Sequence, residues 1–443
     1  MSAIALCVAA FAAAFLAGRR SMWLGLAAVL SAGYAYGIVR ANLGGATHLL
    51  FDAAVGGFLA AQLWTVMVTP DRRNGAYGLR CWTLVLIAWP TLLFFFAEGD
   101  ILVELVGWRA NVFLLPFLLV GAQLDDDSVY RVAIVMAVLN IGAAILGALE
   151  FTLGLQMFFP YNEVTDLLYK SRLSDQESLG LRIPSSFVNA HAYGGTMVMT
   201  LPFIVGAWIQ QRERWHSHLL TGAIVASLLG VFMAGARTPM IVLGALVVLV
   251  TMFGRLRGYA WVTWAGVIAV VGWVISGDLR LQRFVSLQDT QGLSERWSGS
   301  VNHQFVELMG AYPFGRGLAG GGTSIPYFLK DRFETNFVME NEFARIVMEQ
   351  GVPGLFLWVL FMAWVLTKVR VQTSDPWHLS RRLVLATAGS YFLFALTGIG
   401  LLTSVPQSMV LMLGVGWVAV RQPAAARQMA PERLRKAGLA VSA

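Results

Sequence analysis

Charged residues are scarce in this chain of 443 residues: Asp, Glu, Lys and Arg make up 13% of it, whereas a soluble globular protein carries about 25%. Hydrophobic residues make up 57%. Apolar runs long enough to cross about 30 Å of hydrocarbon as helices recur along nearly the whole length. The sequence therefore excludes an ordinary soluble fold and predicts an all-α, polytopic membrane protein, with residues 1–443 as a single integral membrane domain.

Residues for metal or thiol chemistry are equally sparse. Cys7 and Cys81 each lie in or beside an apolar run, so a disulfide framework is not expected. No set of His, Cys and carboxylates has metal-ligand spacing, and no G-x-S-x-G or P-loop occurs. We therefore expect no metal and no other cofactor.

Two motifs resemble functional signatures without their context. The GRGLAG stretch at 315–320 satisfies G-x-G-x-x-G, but it neither follows a strand nor opens a βαβ unit. The triplet Asp125, Asp126 and Asp127 resembles a metal-chelating cluster; solvated carboxylates beside a helix end are the favoured interpretation. The net charge of +7 is expected in a membrane protein, because Lys and Arg accumulate in cytoplasmic loops. No basic stripe interleaved with aromatics indicates nucleic-acid binding.

Hydropathy predicts about twelve to fourteen transmembrane helices. The first 17 residues lack a basic segment ahead of the apolar run, so they are interpreted as an uncleaved helix rather than a signal peptide. The candidate spans are 3–17, 22–39, 48–69, 81–97, 101–122, 131–150, 190–208, 219–235, 238–253, 259–276, 351–367, 383–401 and 406–420.

The distribution of positive charge predicts the orientation of these helices. Most basic residues between the predicted helices fall in every second connection. They are Arg19, Arg20, Arg72, Arg73, Arg131, Arg212, Arg214, Arg255, Arg257, those from Lys368 to Arg382, and Arg433, Arg435 and Lys436. By the positive-inside rule these connections are cytoplasmic, including a basic tail over 421–443. The N-terminus is then outside, as are two long loops over 151–189 and 277–350.

The two external loops are expected to carry the function, because long loops with polar and aromatic content are usually functional. Gly315, Gly317, Gly320, Gly321 and Gly322 predict a flexible segment in the second loop. An amphipathic stretch from about 337 to 350 predicts a helix that enters the membrane at Gly351–Gly354.

Arginines on the predicted outer side are not explained by the positive-inside bias. They are Arg182, Arg237 in the short turn after an apolar helix, Arg296 and Arg345. The planar guanidinium fork suits phosphate and keeps its charge, so these residues are candidate ligands for the phosphates of an outer-leaflet lipid carrier. The alternative is that each arginine snorkels to the interface or pairs with a carboxylate.

The segment that ends the second loop offers candidate proton acceptors. On a helix Glu342 and Arg345 can pair at i,i+3, and acidic residues in the first turn are favoured by the helix dipole. Glu340 and Glu342 are therefore helix-start carboxylates, or one of them is a general base; spacing alone leaves both open. His191 and His303 are alternative bases.

The order of LRIPSSFVNAHAYG, GART, RWSGSVNHQFVELMGAYPFGRGLAGGG and ENEFARIVMEQGVPGLFL resembles the bacterial O-antigen ligase and O-antigen polymerase superfamily, membrane glycosyltransferases with a GT-C-like fold. The layout is similar over roughly residues 100–420. Asn341, Glu342, Gly351 and Gly354 match a segment that usually begins His-Asn-Glu in ligases, whereas Glu340 occupies the His position here. In ligases that His is held to assist deprotonation of the acceptor hydroxyl.

The resemblance implies an inner-membrane enzyme whose active site faces the periplasm. Its donor would be a glycan attached through pyrophosphate to undecaprenol, and its acceptor a glycan or the lipid A core of lipopolysaccharide. It implies metal-independent, inverting transfer, with Arg182, Arg237 and Arg296 on the departing pyrophosphate and Arg345 near them. Because Glu340 replaces the ligase His, a surface-polysaccharide polymerase is favoured over a ligase. A lipid-linked glycan transporter and a non-catalytic scaffold are the alternatives from other classes.

Overall fold

A computed structural model describes residues 3–68, 77–96, 99–166, 168–169, 182–210, 213–253, 305–320, 329, 332, 341–369, 371–396, 398, 400 and 403–420. Side chains of 65–68 and 251–253 are not described. The described part of the chain is all-helical, and nine of its helices are long and apolar enough to span a membrane. The all-α polytopic fold is therefore confirmed.

The α-helices in chain order are α1 (Ala3–Arg20), α2 (Met22–Leu43), α3 (Leu50–Val68), α4 (Tyr77–Phe95), α5 (Ile101–Val112), α6 (Phe117–Gln123), α7 (Asp126–Leu153), α8 (Ala190–Gln210), α9 (Arg214–Ala234), α10 (Arg237–Phe253), α11 (Phe305–Ala311), α12 (Glu342–Lys368), α13 (His378–Phe394) and α14 (Gln407–Ala419). Short 3₁₀ helices cover Gly45–Leu49 and Leu155–Met157. The predicted span over 259–276 and the predicted tail over 421–443 lie outside the described residues, as does most of 277–350.

Capping residues set several of the helix starts. The side chain of Ser21 accepts a hydrogen bond from Leu24 N at the start of α2, and the carboxylate of Asp100 accepts one from Leu102 N at 2.9 Å. Asp125 accepts from Ser128 N at 3.1 Å and caps α7. These short polar side chains satisfy amides that have no partner in the first turn. The aspartate triplet thus belongs to a helix start, as the sequence predicted.

Close backbone contact between helices depends on small residues. A β-carbon at Gly121 of α6 would overlap the carbonyl oxygen of Leu413 in α14. A β-carbon at Gly416 of α14 would overlap the carbonyl oxygen of Leu118 in α6. In a membrane, packing of this kind replaces much of the hydrophobic driving force for helix association. It allows the short helix α6 to pack along α14 in the interior of the bundle.

One alternating set of connections between the helices lies at a single end of the bundle. Consecutive spanning helices run in opposite directions, so the connections 43–50, 95–101, 153–190, 234–237 and 395–406 lie on the same side, which we call the loop end. Hydrogen bonds tie these connections to each other and to neighbouring helices: Ile38 N donates to Ser186 O at 3.0 Å, Asn42 Nδ2 to Phe158 O at 2.8 Å, Ile183 N to Met233 O at 3.3 Å and Glu342 N to Ala395 O at 2.8 Å.

The opposite end of the bundle is rich in arginine and tryptophan. Arg19 lies 5.1 Å from the ring centroid of Trp64, Arg131 5.5 Å from that of Trp23 and Arg381 4.4 Å from that of Trp417. Such cation–π contacts are common where charged and aromatic residues share an interfacial region. The described arginines of the predicted cytoplasmic connections therefore lie together at the end away from the long loops.

Three predicted elements differ in detail from the structure. The predicted span at 101–122 is present as Ile101–Gln123, but a turn at 113–116 separates α5 from α6, because Pro116 has no N–H to donate to Val112 O. The span at 383–401 ends as a helix at Phe394, ahead of Gly398 and Gly400. The amphipathic helix begins at Glu342 rather than near 337, and it joins the following span through Gly351, whose φ of 72° and ψ of −175° make a kink.

The glycine segment predicted to be flexible is packed over residues 315–320. Arg316 N donates to Met348 O at 2.7 Å, and Gly315 and Gly317 have φ values of 88° and 114°. A β-carbon at Gly317 would approach Glu104 Oε1 to 2.5 Å. Glycine is required at Gly315 and Gly317 because the turn has positive φ values and packs closely against α12 and α5. The prediction had attributed these glycines to flexibility instead. Gly321 and Gly322 lie outside the described residues.

Candidate functional site

Arg182 belongs to a buried, non-helical segment, 182–189, that crosses the loop end. Ser185 N donates to Glu150 Oε2 at 2.9 Å and Ser185 Oγ to Ala143 O at 2.7 Å, so α7 holds the segment. The φ of Ser185 is 52°, an uncommon conformation that these contacts stabilise. The segment is therefore a fixed part of the fold, and it presents Arg182 at a defined position.

Arg182 lies against the turn that leads to Arg237. Ile183 N donates to Met233 O at 3.3 Å, and a β-carbon at Gly235 would lie 3.9 Å from Cγ of Arg182. Gly235 closes α9 in the left-handed conformation, with φ 60°. Two of the predicted outer arginines are thus brought to one place in the fold, although about fifty residues separate them in the chain.

Arg237 is the first residue of α10, and it is half-buried. The start of a helix carries amides without helical partners and the positive end of the helix dipole. A guanidinium at this position adds a full positive charge to that partial charge. The turn at 235–237 with Arg182 beside it is therefore an electrostatic environment suited to an anion.

His191 lies in the same part of the molecule. It is exposed in the first turn of α8, which Asn189 caps by accepting a hydrogen bond from Ala192 N at 2.8 Å. His191, one of the two alternative bases, is thus close in the chain to segment 182–189, which carries Arg182. Glu340, Arg296 and His303 lie outside the described residues.

The start of α12 contains the Glu342–Arg345 pair that the sequence predicted, behind an N-cap that it did not. Asn341 Oδ1 accepts hydrogen bonds from Phe343 N at 2.9 Å and Ala344 N at 3.2 Å, so Asn341 is the N-cap. Glu342 is in the first turn, and Arg345 donates to its Oε1 from Nε at 3.1 Å and from Nη2 at 2.6 Å. The predicted i,i+3 pair is confirmed.

Arg345 is fully enclosed by protein groups. Its Nη1 donates to Glu349 Oε2 and, at 3.3 Å, to Asn111 Oδ1. Glu342, Arg345 and Glu349 all have 0% exposed side chains. Two carboxylates around one guanidinium repel an added anion, and the nitrogens of Arg345 already have partners. Arg345 is thus paired with carboxylates, which was the alternative to phosphate binding. It could contact pyrophosphate only if these hydrogen bonds broke.

Asn111 connects this cluster to α5. Its Nδ2 donates to Glu349 Oε2 at 2.7 Å, and its Oδ1 accepts from Gln350 Nε2 at 2.9 Å. Among the described residues, Oε1 of Glu349 and Oε2 of the buried Glu104 have no hydrogen-bond partner. The cluster is therefore predominantly acidic, unlike the arginines at the α9–α10 turn.

Glu342 also contacts the segment after α13. Its backbone N–H donates to Ala395 O at 2.8 Å, and its Oε2 accepts from Gly400 N at 2.8 Å. Between these two contacts, a β-carbon at Gly398 would lie 3.9 Å from Thr238 Oγ1. Thr238 follows Arg237 in the chain. The structure thus links the start of α12, through segment 395–400, to the arginine-bearing turn.

A surface ion pair lies at the edge of the loop end. Arg332 Nη1 donates to Asp100 Oδ2 at 3.0 Å. This hydrogen bond lowers the pKa of the Asp100 carboxyl from its usual value. Asp100 therefore remains ionised at neutral pH, both as the cap of α5 and as the partner of Arg332.

Several residues of the cluster were not identified from the sequence. Glu349 could have been identified from the sequence, since it follows Arg345 by four residues and oppositely charged side chains at this spacing stabilise helices. The roles of Asn111 and of the backbone at Ala395 and Gly400 could not be identified in this way. Their partners, Arg345 and Glu342, are more than fifty residues away in the chain. The partner of Arg109 could not be identified either: Arg109 Nε donates to Asp52 Oδ2 at 2.9 Å.

Across the residues that the structure describes, no three or more His, Cys, Asp or Glu side chains are grouped closely enough to hold a metal ion. Cys7 and Cys81 are free thiols. No protein-family model and no curated protein matches the sequence.

Proposed function

We propose that the chain is a glycosyltransferase that transfers glycan from an undecaprenyl-pyrophosphate donor to a sugar hydroxyl. The proposed setting is the bacterial inner membrane, with the reaction at the periplasmic face. The observation that carries this proposal is the packing of Arg182 against the turn that leads to Arg237. Two cationic side chains and a helix start at the mouth of a membrane bundle suit a diphosphate attached to a lipid.

The proposed reaction is a single displacement. The acceptor hydroxyl oxygen forms a bond to the anomeric carbon as the bond from that carbon to the pyrophosphate oxygen breaks. The electron pair of the broken bond leaves with undecaprenyl pyrophosphate, and the hydroxyl proton passes to a carboxylate, for which Glu340 is the candidate. Attack opposite the leaving group inverts the anomeric centre.

Negative charge on the departing pyrophosphate is what the arginines are proposed to stabilise. Fixed cations act most strongly where water is excluded and where they need no reorganisation during the reaction. Arg182, Arg237 and Arg296 are assigned to the pyrophosphate. His191 and His303 are the alternative proton acceptors. Arg345 is assigned to positioning, because its hydrogen bonds are to Glu342, Glu349 and Asn111.

We favour polymerisation of a surface polysaccharide over ligation to lipid A core, because Glu340 replaces the His typical of ligases. A transporter of lipid-linked glycans usually places charges at the membrane midplane. Here Arg182 and Arg237 lie at one end of the bundle, which favours chemistry at a surface. A scaffold without activity would leave the contact between their segments unexplained.

Purified protein in lipid nanodiscs, incubated with a defined undecaprenyl-pyrophosphate oligosaccharide, tests the proposal. A ladder of longer products indicates a polymerase, and a single transfer to added lipid A core indicates a ligase. If the intact protein yields no product with either acceptor, the glycosyltransferase proposal is overturned.

Arg237→Ala is expected to lower the rate of transfer by about 100-fold or more, the size seen when one transition-state donor is removed. Arg237→Lys should restore little, because the forked contact is lost. Arg131→Ala is the matched control, since Arg131 is an exposed arginine at the opposite end of the bundle. Full activity of Arg237→Ala, measured by the product ladder, would contradict the role of Arg237.

A further inference from the structure

We infer that Glu342 is a positioning residue that holds segment 395–400 against the turn bearing Arg237. This inference rests on the proposed function, because it gives Glu342 a task in placing the leaving-group arginine. It concerns a contact between distant parts of the chain that the sequence did not indicate.

Glu342 forms hydrogen bonds with both ends of segment 395–400. Its backbone N–H donates to Ala395 O at 2.8 Å, and its Oε2 accepts from Gly400 N at 2.8 Å. The segment contains two glycines and no charged side chain. Glycine gives the backbone wide conformational freedom, so the conformation of this segment depends on the groups that bind it from outside.

The carboxylate of Glu342 is itself fixed. Arg345 donates to its Oε1 through two nitrogens, at 3.1 and 2.6 Å, and both side chains are 0% exposed. Arg345 is in turn held by Glu349 and Asn111. A carboxylate bound in this way cannot exchange its partners for water, and so Glu342 is a rigid attachment point.

Gly398, a described residue of this segment, lies close to Thr238, the neighbour of Arg237. A β-carbon at Gly398 would lie 3.9 Å from Thr238 Oγ1, and α13, which leads into the segment, packs along α10. A shift of the segment would therefore allow the first turn of α10 to move. Electrostatic stabilisation of a leaving group requires cations held in place before the reaction.

The chain offers a matched pair of variants for this test, Glu342→Met and Glu349→Met. Each removes one buried carboxylate from Arg345 and leaves the other, so each retains an ion pair rather than an isolated buried charge. Only Glu342 contacts segment 395–400. Glu342→Gln is the conservative variant, because its amide oxygen can still accept from Gly400 N.

The direct measurement is hydrogen–deuterium exchange of the full chain in nanodiscs. Glu342→Met is expected to increase exchange of the peptides that cover 395–400 and 234–240 by about tenfold or more, since their local protection is lost. Glu349→Met and Glu342→Gln should leave these peptides within about twofold of the unmodified protein. Equal exchange at 395–400 in Glu342→Met and in the unmodified protein overturns the inference.

The functional measurement is a double-mutant cycle on glycan transfer. Glu342→Met is expected to lower kcat by about tenfold with little change in KM, and to cause no further loss in an Arg237→Ala background. A loss of equal size in both backgrounds would show that Glu342 acts independently of Arg237, and would overturn the inference. If the unmodified protein transfers no glycan, the proposed function fails, and the exchange experiment alone decides the role of Glu342.

Discussion

Three arginine side chains within or at the ends of the helices have specific carboxylate partners in this fold. Arg109 pairs with Asp52, Arg345 with Glu342 and Arg381 with Asp375. A charge withdrawn from water is costly unless it is paired and hydrogen-bonded. The partner of Arg345 follows from helical spacing, whereas Asp52 lies 57 residues from Arg109 and could not be predicted from local pattern.

Gly351 is the joint within α12 between its first part, 342–350, and its longer second part, 352–368. Its φ of 72° with ψ of −175° belongs to a region that only glycine adopts readily. A β-carbon there would overlap the carbonyl oxygen of Pro313, and the next residue, Val352, donates its N–H to that oxygen at 2.9 Å. The joint therefore needs both the backbone freedom and the small volume of glycine.

Gly351→Ala is expected to destabilise the protein by more than about 2 kcal/mol, because backbone strain and overpacking act together. Gly310→Ala is the control: Gly310 is an exposed helical residue with nothing within 4 Å of an added β-carbon. Thermal unfolding in detergent, followed by tryptophan fluorescence, provides the measurement. Equal midpoints for the two variants would contradict the expected role of Gly351.

At the scale of elements, polar side chains join four helices in the interior. Tyr34 of α2 donates to Asn140 Oδ1 of α7 at 2.5 Å, and Asn140 Nδ2 donates to Thr200 Oγ1 of α8 and Ser227 Oγ of α9, each at 2.8 Å. All four residues are buried. Inter-helix hydrogen bonds of this kind contribute about 0.6 kcal/mol each on average in a membrane.

Asn140→Leu is expected to destabilise this four-helix contact by about 1–3 kcal/mol, because it leaves the buried Tyr34 hydroxyl without its acceptor. The double variant Tyr34→Phe with Asn140→Leu should recover part of the loss, since removing both partners leaves no unsatisfied hydroxyl. Urea or thermal unfolding of Asn140→Leu, Tyr34→Phe and the double variant measures the coupling. Strictly additive losses would show that the pair does not interact.

Capping residues set helix starts that the predicted spans misplaced: α7 begins at Asp126 rather than 131, and α12 at Glu342 rather than about 337. Asp125, Asn341 and Ser21 lie at helix starts because each accepts a hydrogen bond from an amide of the first turn. The turn after Val112, inside the span Ile101–Gln123, and the helix end at Phe394 were not predicted, although Pro116 and Gly398 signal them. Hydropathy averages over such residues, so it predicts a continuous span where the backbone breaks.

At the scale of the whole molecule, the two ends of the bundle differ in kind. The loop end carries the buried non-helical segment 182–189 and the contact between Arg182 and the Arg237 turn. The other end carries arginines stacked on tryptophans. Positive charge at one end predicts that this end faces the cytoplasm, and therefore that the loop end faces outwards.

This orientation can be tested by cysteine labelling in a background with Cys7 and Cys81 replaced by alanine. Tyr161→Cys, an exposed position at the loop end, should react with a membrane-impermeant maleimide in intact cells. Thr373→Cys, exposed at the opposite end, should react only after permeabilisation. The reverse labelling pattern would place Arg237 in the cytoplasm and contradict the proposed site of reaction.

The sequence alone determined the class of this protein, because the cost of placing polar groups in hydrocarbon acts on each stretch of about twenty residues independently. The caps, the Glu342–Arg345 pair and the candidate arginines are also visible locally. Only the tertiary structure decided which of these arginines share a site. Arg182 lies beside the turn that leads to Arg237, and Arg345 is enclosed by carboxylates, because contacts between distant segments depend on how the helices pack.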